Sequence, residues 1–431
     1  MYIFSWNYLK EKWAHAGFQR YFKSTGWMLI SKILCMVISF AATIIVTRRL
    51  GPVNFGQLSY ALSFVGIFSF ITSLGIDSVL YRDLIKYPEK KNEYLGSAFV
   101  MKMIASISTA IFIIIFAKLF AQDDVSKILI YILSFVSIFQ TFGIIYSEFQ
   151  ARVKSKLPSI ITIFITLLLN VLKVGVILLN QGVIYLALIV LLEPILYSTF
   201  YSIAYKFEFK EKITDWKFNK QIALGLLRNS WPMILTAAFS VIYSRIDQIL
   251  IKHIMDAGAV GIYSSAVIVA EAWYFVPGMI TASLFPAIVN AKKTSEKLYE
   301  VRLKKVAILL LVLSVGIGIV NTILAPFIIN LLYGSAFTGG IIVLQIYVWS
   351  NIGIGLGSLA FNYLITENYR KIILLSSFVP MISNLVLNLI WIPRYGIAGS
   401  ALATLISYTL WPLSLLFFKV TREKMVLIFK S

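Results

Sequence analysis

Residues 306–328 read VAILLLVLSVGIGIVNTILAPFI, a run without a single charge, and Lys304 and Lys305 stand immediately before it. A helix needs about 20 apolar residues to cross a hydrocarbon core of about 30 Å, so this run predicts a membrane span. Similar runs recur along the whole 431-residue chain, which is 59% hydrophobic and only 13% charged. Soluble domains are about 25% charged, and the sequence leaves no stretch for a soluble domain between its apolar runs. In hydrocarbon every backbone N–H and C=O must be paired within the protein, so the predicted class is an all-α membrane protein.

Breaks at charge, Gly and Pro place spans near 25–47, 56–76, 96–117, 128–147, 158–179 and 183–205, then near 222–251, 259–285, 305–328, 338–364, 372–391 and 397–418. The expected organisation is a leader over 1–24, a first lobe of six helices over 25–205, a linker over 206–221, a second six-helix lobe over 222–418 and a tail over 419–431. Lys10, Lys12, Arg20 and Lys23, mixed with Trp6, Trp13, Phe18 and Tyr21, give the leader the composition of a surface-lying segment or of a disordered one. It lacks the short apolar region of a removable signal peptide.

The formal charge of +20 is organised by side rather than by patch. The tails and the connections after even-numbered spans hold 28 of the 39 Lys and Arg, with Lys305 at the head of span nine counted among them, and those after odd-numbered spans hold 6. By the positive-inside rule both termini are cytoplasmic, and the charge reads as membrane orientation, not nucleic-acid binding. The motif Gly56-x-x-Ser59-x-Ala61 returns 205 residues later as Gly261-x-x-Ser264-x-Ala266, and Gly182 with Ala187 resembles Gly396 with Ala401. Small residues alone permit close helix packing, yet the order of the matches predicts two parallel repeats.

Several spans carry one polar stripe at helical spacing. Span one aligns Thr25, Lys32, Ser39, Thr43 and Thr47; span five aligns Ser159, Thr162, Thr166, Asn170, Lys173 and Asn180. Span seven aligns Asn229, Thr236, Ser240, Tyr243 and Asp247, and span ten Asn351, Ser358 and Asn362. Ser and Thr alone are explained by interhelical hydrogen bonds; a lysine at mid-bilayer costs about 2.5 kcal/mol or more unless it meets water, a partner or a ligand. Lys32, Lys102 and Lys173 are therefore candidates for an anion-accepting cavity, the alternative being a structural ion-pair network. The acidic candidates in that half, Glu148 and Glu193, are expected nearer span ends. In the second half Arg245, Asp247 and Glu271 are candidates for interhelical pairing, most simply Arg245 with Glu271. Arg245 lies opposite Asp247 on its helix, so one of the two faces packing.

Chemistry of other kinds is missing. No phosphate-binding Gly-x-x-x-x-Gly-Lys loop or His-Glu-x-x-His occurs, and the histidines are His15 and His253 alone. The single cysteine, Cys35, allows no intrachain disulfide. The outer connections are too short for the carboxylate loop of a membrane transferase, and Asp123-Asp124 reads as a solvated turn. No metal or other cofactor is called for.

Several short motifs run in order: Arg49-Leu50-Gly51-Pro52-x-x-Phe55-Gly56, then Gly75-Ile76-Asp77 with Arg82, Arg245-x-Asp247 and Gly261-Ile262-Tyr263. The run from Pro277 to Pro286, Tyr333-Gly334-x-x-Phe337 and Tyr395-Gly396-Ile397-Ala398-Gly399 complete the set. Over this length the chain resembles the polysaccharide (Wzx-type) flippases of the multidrug/oligosaccharidyl-lipid/polysaccharide exporter (MOP) superfamily. That resemblance implies a MATE-like, two-lobed bundle working by alternating access in a bacterial cytoplasmic membrane. It would carry an undecaprenyl-diphosphate-linked repeat unit to the outer leaflet for O-antigen, capsule or exopolysaccharide assembly, beside membrane lipids and polysaccharide polymerase machinery. A cation-coupled multidrug exporter, a lipid II flippase and a membrane transferase are the alternatives.

A diphosphate needs cations along its path. Lys32, Lys102 and Lys173 are assigned to it, while Arg49 and Arg82 either receive the head group or snorkel to lipid phosphates. The membrane potential could drive an anion outward, and Asp247 or Glu271 could exchange protons or sodium.

Overall fold

A computed structural model of the chain describes residues 16–367 and 369–422. Most of the predicted leader and tail lie outside the described residues. Among those described there are ten helices long and apolar enough to cross a membrane: α1 Ser24–Ile67, α2 Pro88–Phe120, α3 Asp124–Ala151, α4 Lys156–Leu178, α5 Val183–Phe209, α6 Lys220–Ile254, α7 Ala257–Lys292, α8 Glu296–Tyr333, α9 Gly340–Thr366 and α10 Arg370–Phe417. No strand occurs among them.

Ten helices stand where twelve spans were expected because α1 and α10 each run through a predicted connection. Each is broken at a glycine. Gly51 has φ 73° and Gly396 φ 58°, conformations that cost any residue with a Cβ, and the chain turns there without leaving a loop. Nothing stands within 4 Å of a Cβ added at Gly51, so backbone conformation rather than space calls for glycine there.

The chain forms two compact units. Of the described residues, the first contains 16–46, 71–121 and 128–231; the second contains 47–70, 122–127, 232–367 and 369–422. In the first, a short helix Asp77–Lys86 packs with the start of α2, and Ile76, Leu80, Leu84, Leu95 and Ile144 form its core. The predicted linker folds back onto α2. Lys217 donates its backbone N–H to the Asn92 carbonyl, Asn219 donates its backbone N–H to Ser97 Oγ, and the Lys217 backbone lies so close that a Cβ on Gly96 would meet it at 2.5 Å.

In the second unit α8, which contains the run quoted first, buries Leu310, Ser314, Gly318, Asn321, Ala325 and Ile329 on one stripe. Val312, Val320, Ile323 and Phe327 point outward. Large apolar side chains face both ways while the small and polar ones Ser314, Gly318, Asn321 and Ala325 face in, because lipid solvates apolar side chains as well as the protein interior does. Ser314 Oγ donates to the Asn351 carbonyl at 3.1 Å, and the Trp349 ring lies against Gly318.

Candidate functional site

Each unit holds a cavity with polar side chains on a largely apolar wall. In the second unit a cavity of about 280 Å³ collects Thr236, Ser240 and Tyr243 from α6 and Ser358 and Asn362 from α9. Two stripes predicted separately thus line one space. Aromatic rings close it: Tyr243 meets Tyr408 edge-on at 5.2 Å between centroids, and Trp411 lies 6.4 Å from Phe361. No charged side chain is on its wall. Asn351, expected on the same stripe, is instead fully buried and Asn229 is exposed.

One turn beyond Tyr243, Asp247 is enclosed. Tyr263 Oη donates to its Oδ2 at 2.6 Å, Thr404 Oγ1 to the same oxygen at 2.5 Å, and Asn388 Nδ2 to Oδ1 at 2.9 Å. Arg245, on the opposite side of α6, is exposed. The structure therefore assigns the buried face of this pair to Asp247. Glu271 accepts a hydrogen bond from Tyr347 Oη at 3.1 Å and, among the described residues, forms no ion pair with Arg245. Tyr347, a neutral donor, makes the direct contact, while the Arg245 charge acts on Glu271 from beyond ion-pair distance. Span eleven supplied a signal in the i, i+4 pair Asn384 and Asn388, whose side chains hydrogen-bond each other and reach Asp247.

The first unit has the larger cavity, about 530 Å³, between α3, α4 and α5. Tyr146, Tyr197 and Tyr201 form one side, Gln140 and Thr162 contribute hydrogen-bonding groups, and Glu193 is the one charged side chain on the wall. Glu193 was expected nearer a span end. It lies near the middle of α5, followed at once by Pro194.

None of the three lysines lines this cavity. Lys102 is buried and donates to Asp77 Oδ1 at 2.6 Å, a partner from the short helix that the span assignment placed in a loop. Lys32 is exposed and Lys173 half-buried. Their helices meet between them, where Asn170 Nδ2 donates to Ser39 Oγ at 3.3 Å, so the stripes of spans one and five do face each other. Lys32 lies two turns from Ser39 and Lys173 less than one turn from Asn170. Arg49 is exposed, and exposed Arg82 pairs with Asp83 at 2.8 Å. Glu148 is claimed by Arg152, which also reaches Glu211. Burial alone would raise the Glu211 carboxyl, but hydrogen bonds from Lys91, Tyr205 and Arg152 hold it below the ordinary carboxylate value.

Asp123, read as a solvated turn, is a junction. It accepts from Gln57 Nε2 at 3.1 Å, from the Ser126 N–H and hydroxyl at 2.8 Å each, and from Lys252 Nζ at 2.9 Å. Its neighbour Asp124 is 92% exposed at the side chain, as a solvated turn requires.

Ten helices of this length and apolarity among the described residues define a multi-pass membrane protein, and its fold matches that of solved structures of the MOP superfamily. A multidrug-resistance MATE family transporter of that superfamily superposes with TM-score 0.70 at 15% identity over 92% of this chain and 96% of its own. The lipid II flippase MurJ does so with TM-score 0.69 at 19% identity over 93% and 91%. The chain belongs to the polysaccharide biosynthesis protein family, whose profile matches residues 21–292. The capsular polysaccharide biosynthesis protein CapF of Staphylococcus aureus is 23% identical over 89% of this chain and 96% of its own length. An uncharacterized membrane protein of Methanocaldococcus jannaschii is 28% identical, and the matched region spans 49% of this chain and 51% of that protein.

Proposed function

We propose that this protein is a flippase, not an enzyme, which carries an undecaprenyl-diphosphate-linked oligosaccharide repeat unit from the inner to the outer leaflet of the bacterial cytoplasmic membrane. The product serves O-antigen, capsule or exopolysaccharide assembly, with polysaccharide polymerase machinery downstream. Counting the halves of α1 and α10 on either side of Gly51 and Gly396 separately makes twelve spans of the ten helices, and this reading arranges them in two six-helix lobes with both termini cytoplasmic.

The observation that carries this reading is the wall of the second unit's cavity. Its hydroxyls and the Asn362 amide can replace the water on sugar hydroxyls, and its tyrosine and tryptophan rings offer faces for sugar C–H groups, all without charge. An exporter of organic cations would want carboxylates there. Lys32 and Lys173, which have no carboxylate partner among the described residues, are the cations for the diphosphate, while the polyprenyl tail stays in lipid. The membrane potential assists outward movement by about 2.3 kcal/mol per negative charge per 100 mV. Asp247 is the residue for coupling to a proton or sodium: its carboxylate and the partnerless Asn388 Oδ1 are buried acceptor oxygens side by side.

Reconstitution in liposomes tests the function. A fluorescent polyprenyl-diphosphate glycan placed in the inner leaflet becomes accessible to an external glycosidase when wild-type protein is present. No gain over protein-free liposomes overturns the reading. One observation favours a second reading, organic-cation export: the lone carboxylate Glu193 in the first unit's cavity.

A further inference from the structure

The cavity of the first unit carries chemistry that a diphosphate cannot use. Its single charge is negative, and it lies near the middle of a membrane-spanning helix, where an isolated carboxylate needs a proton or a cation. Glu193 has neither a hydrogen bond nor an ion pair among the described residues, unlike Glu148, Glu211 and Asp77 in the same unit. The next residue is Pro194, which brings no N–H to the Val190 carbonyl one turn earlier, and Val190 is on the cavity wall. A carboxylate and a carbonyl lacking its helical donor thus stand together as acceptors. Three tyrosine rings share the wall, Tyr197 and Tyr201 one and two turns along α5 from Glu193 and Tyr146 from α3, with Tyr146 stacked on Tyr201 at 6.0 Å and Tyr197 at 5.5 Å from Tyr201; their π faces attract cations and the C–H faces of sugars alike.

Size selects among cations. A water molecule occupies about 30 Å³ of liquid, so a space of about 530 Å³ is far too large for a bare ion and fits a sugar ring with its neighbours. We infer that this cavity is a subsite for a sugar bearing a protonated amine, with Glu193 as its counter-ion and the tyrosine rings as its platform. The inference rests on the flippase reading and deepens it: the cation lies on the glycan, and the diphosphate is kept out by the same carboxylate. Acetylation of the amine removes the charge and one donor, so the site discriminates between an amino sugar and its N-acetyl form.

The test uses the full chain in lipid nanodiscs and saturation-transfer NMR with methyl glucosaminide, methyl N-acetylglucosaminide and methyl glucoside at pH 6.5. A charge-assisted hydrogen bond predicts that the amine form binds at least about tenfold more tightly than the other two. Glu193→Gln erases that preference without lowering the melting temperature. Should the variant not fold, the wild-type preference alone decides, since it must vanish when the pH is raised past the amine's pKa of about 8. Equal binding of the three sugars, or a preference unchanged by Glu193→Gln or by pH, overturns the proposal, as does equal binding of tetramethylammonium, which carries no sugar. Translocation of a lipid-linked glycan in liposomes without any amine preference refutes this inference alone. Amine binding with no glycan lipid translocated refutes the flippase reading instead.

Discussion

Gly56 and Gly261 meet back to back. A Cβ on Gly56 would lie 1.7 Å from the Ala257 carbonyl oxygen and 2.8 Å from the Gly261 nitrogen, and one on Gly261 would lie 2.0 Å from the Pro52 carbonyl oxygen. The offset of 205 residues that relates the two repeated motifs also relates Pro52 to Ala257, so each motif packs its glycine against the equivalent position of the other. The repeat seen in sequence is thus a contact between its own two copies. Backbone-to-backbone approach of this kind is the usual device for packing helices in lipid.

Alanine at either glycine forces these helices apart. Gly56→Ala and Gly261→Ala are each expected to destabilise the protein by about 1–3 kcal/mol or more, seen as a lower melting temperature in detergent. Gly66→Ala, with nothing within 4 Å of the added carbon, should leave it unchanged. Equal melting of all three variants would refute the crossing.

Asp123 gives a pH dependence. Although its burial alone would raise the carboxyl, the Ser126 N–H and hydroxyl and the Lys252 ammonium hold it below the ordinary value. The folded state then binds fewer protons than the unfolded chain, so this contribution is present above the ordinary carboxylate pKa and is lost as the pH falls through the folded one. Wild-type protein should lose its stability advantage over Asp123→Asn as the pH is lowered from about 5 to about 3. A constant difference across that range would count against the junction.

The lysines should separate by role. Lys102→Met breaks the pair with Asp77, which is 56% exposed and can be rehydrated, so display of surface glycan should persist with at most a small loss of melting temperature. Lys32→Gln and Lys173→Gln should abolish display while melting like wild type. Display that survives both would remove them from the transport path.

At Asp247 an amide replaces the acceptor for Tyr263 and Thr404, and Asp247→Asn should cost about 1–3 kcal/mol. If Asp247 couples transport, this variant should flip lipid-linked glycan at a rate indifferent to imposed proton and sodium gradients. A retained response would place coupling elsewhere.

Much of this was legible along the chain because its causes are local. Apolar length fixes which segments enter a bilayer, Lys and Arg asymmetry predicts their orientation, and 3.6-residue spacing picked out Thr236, Ser240 and Tyr243 before any partner was known. The motif glycines were legible too, though not their reasons: Gly51 and Gly396 bend the backbone, while Gly56 and Gly261 remove bulk.

What the sequence left open were choices of partner. A stripe on one helix does not say what faces it, and cations within reach of several carboxylates do not reveal which one they take. Asp77 rather than Glu148 or Glu193 meets Lys102, and Asp247 rather than Arg245 turns inward. Glu193, unremarkable among the acids of the sequence, is the one charge in a cavity because α3 and α5 bring tyrosines to it, α4 a threonine, and none of them a lysine. Composition and periodicity determine which residues must avoid lipid; only packing between helices far apart in sequence decides what each meets instead, since that depends on crossings such as Gly56 on Gly261.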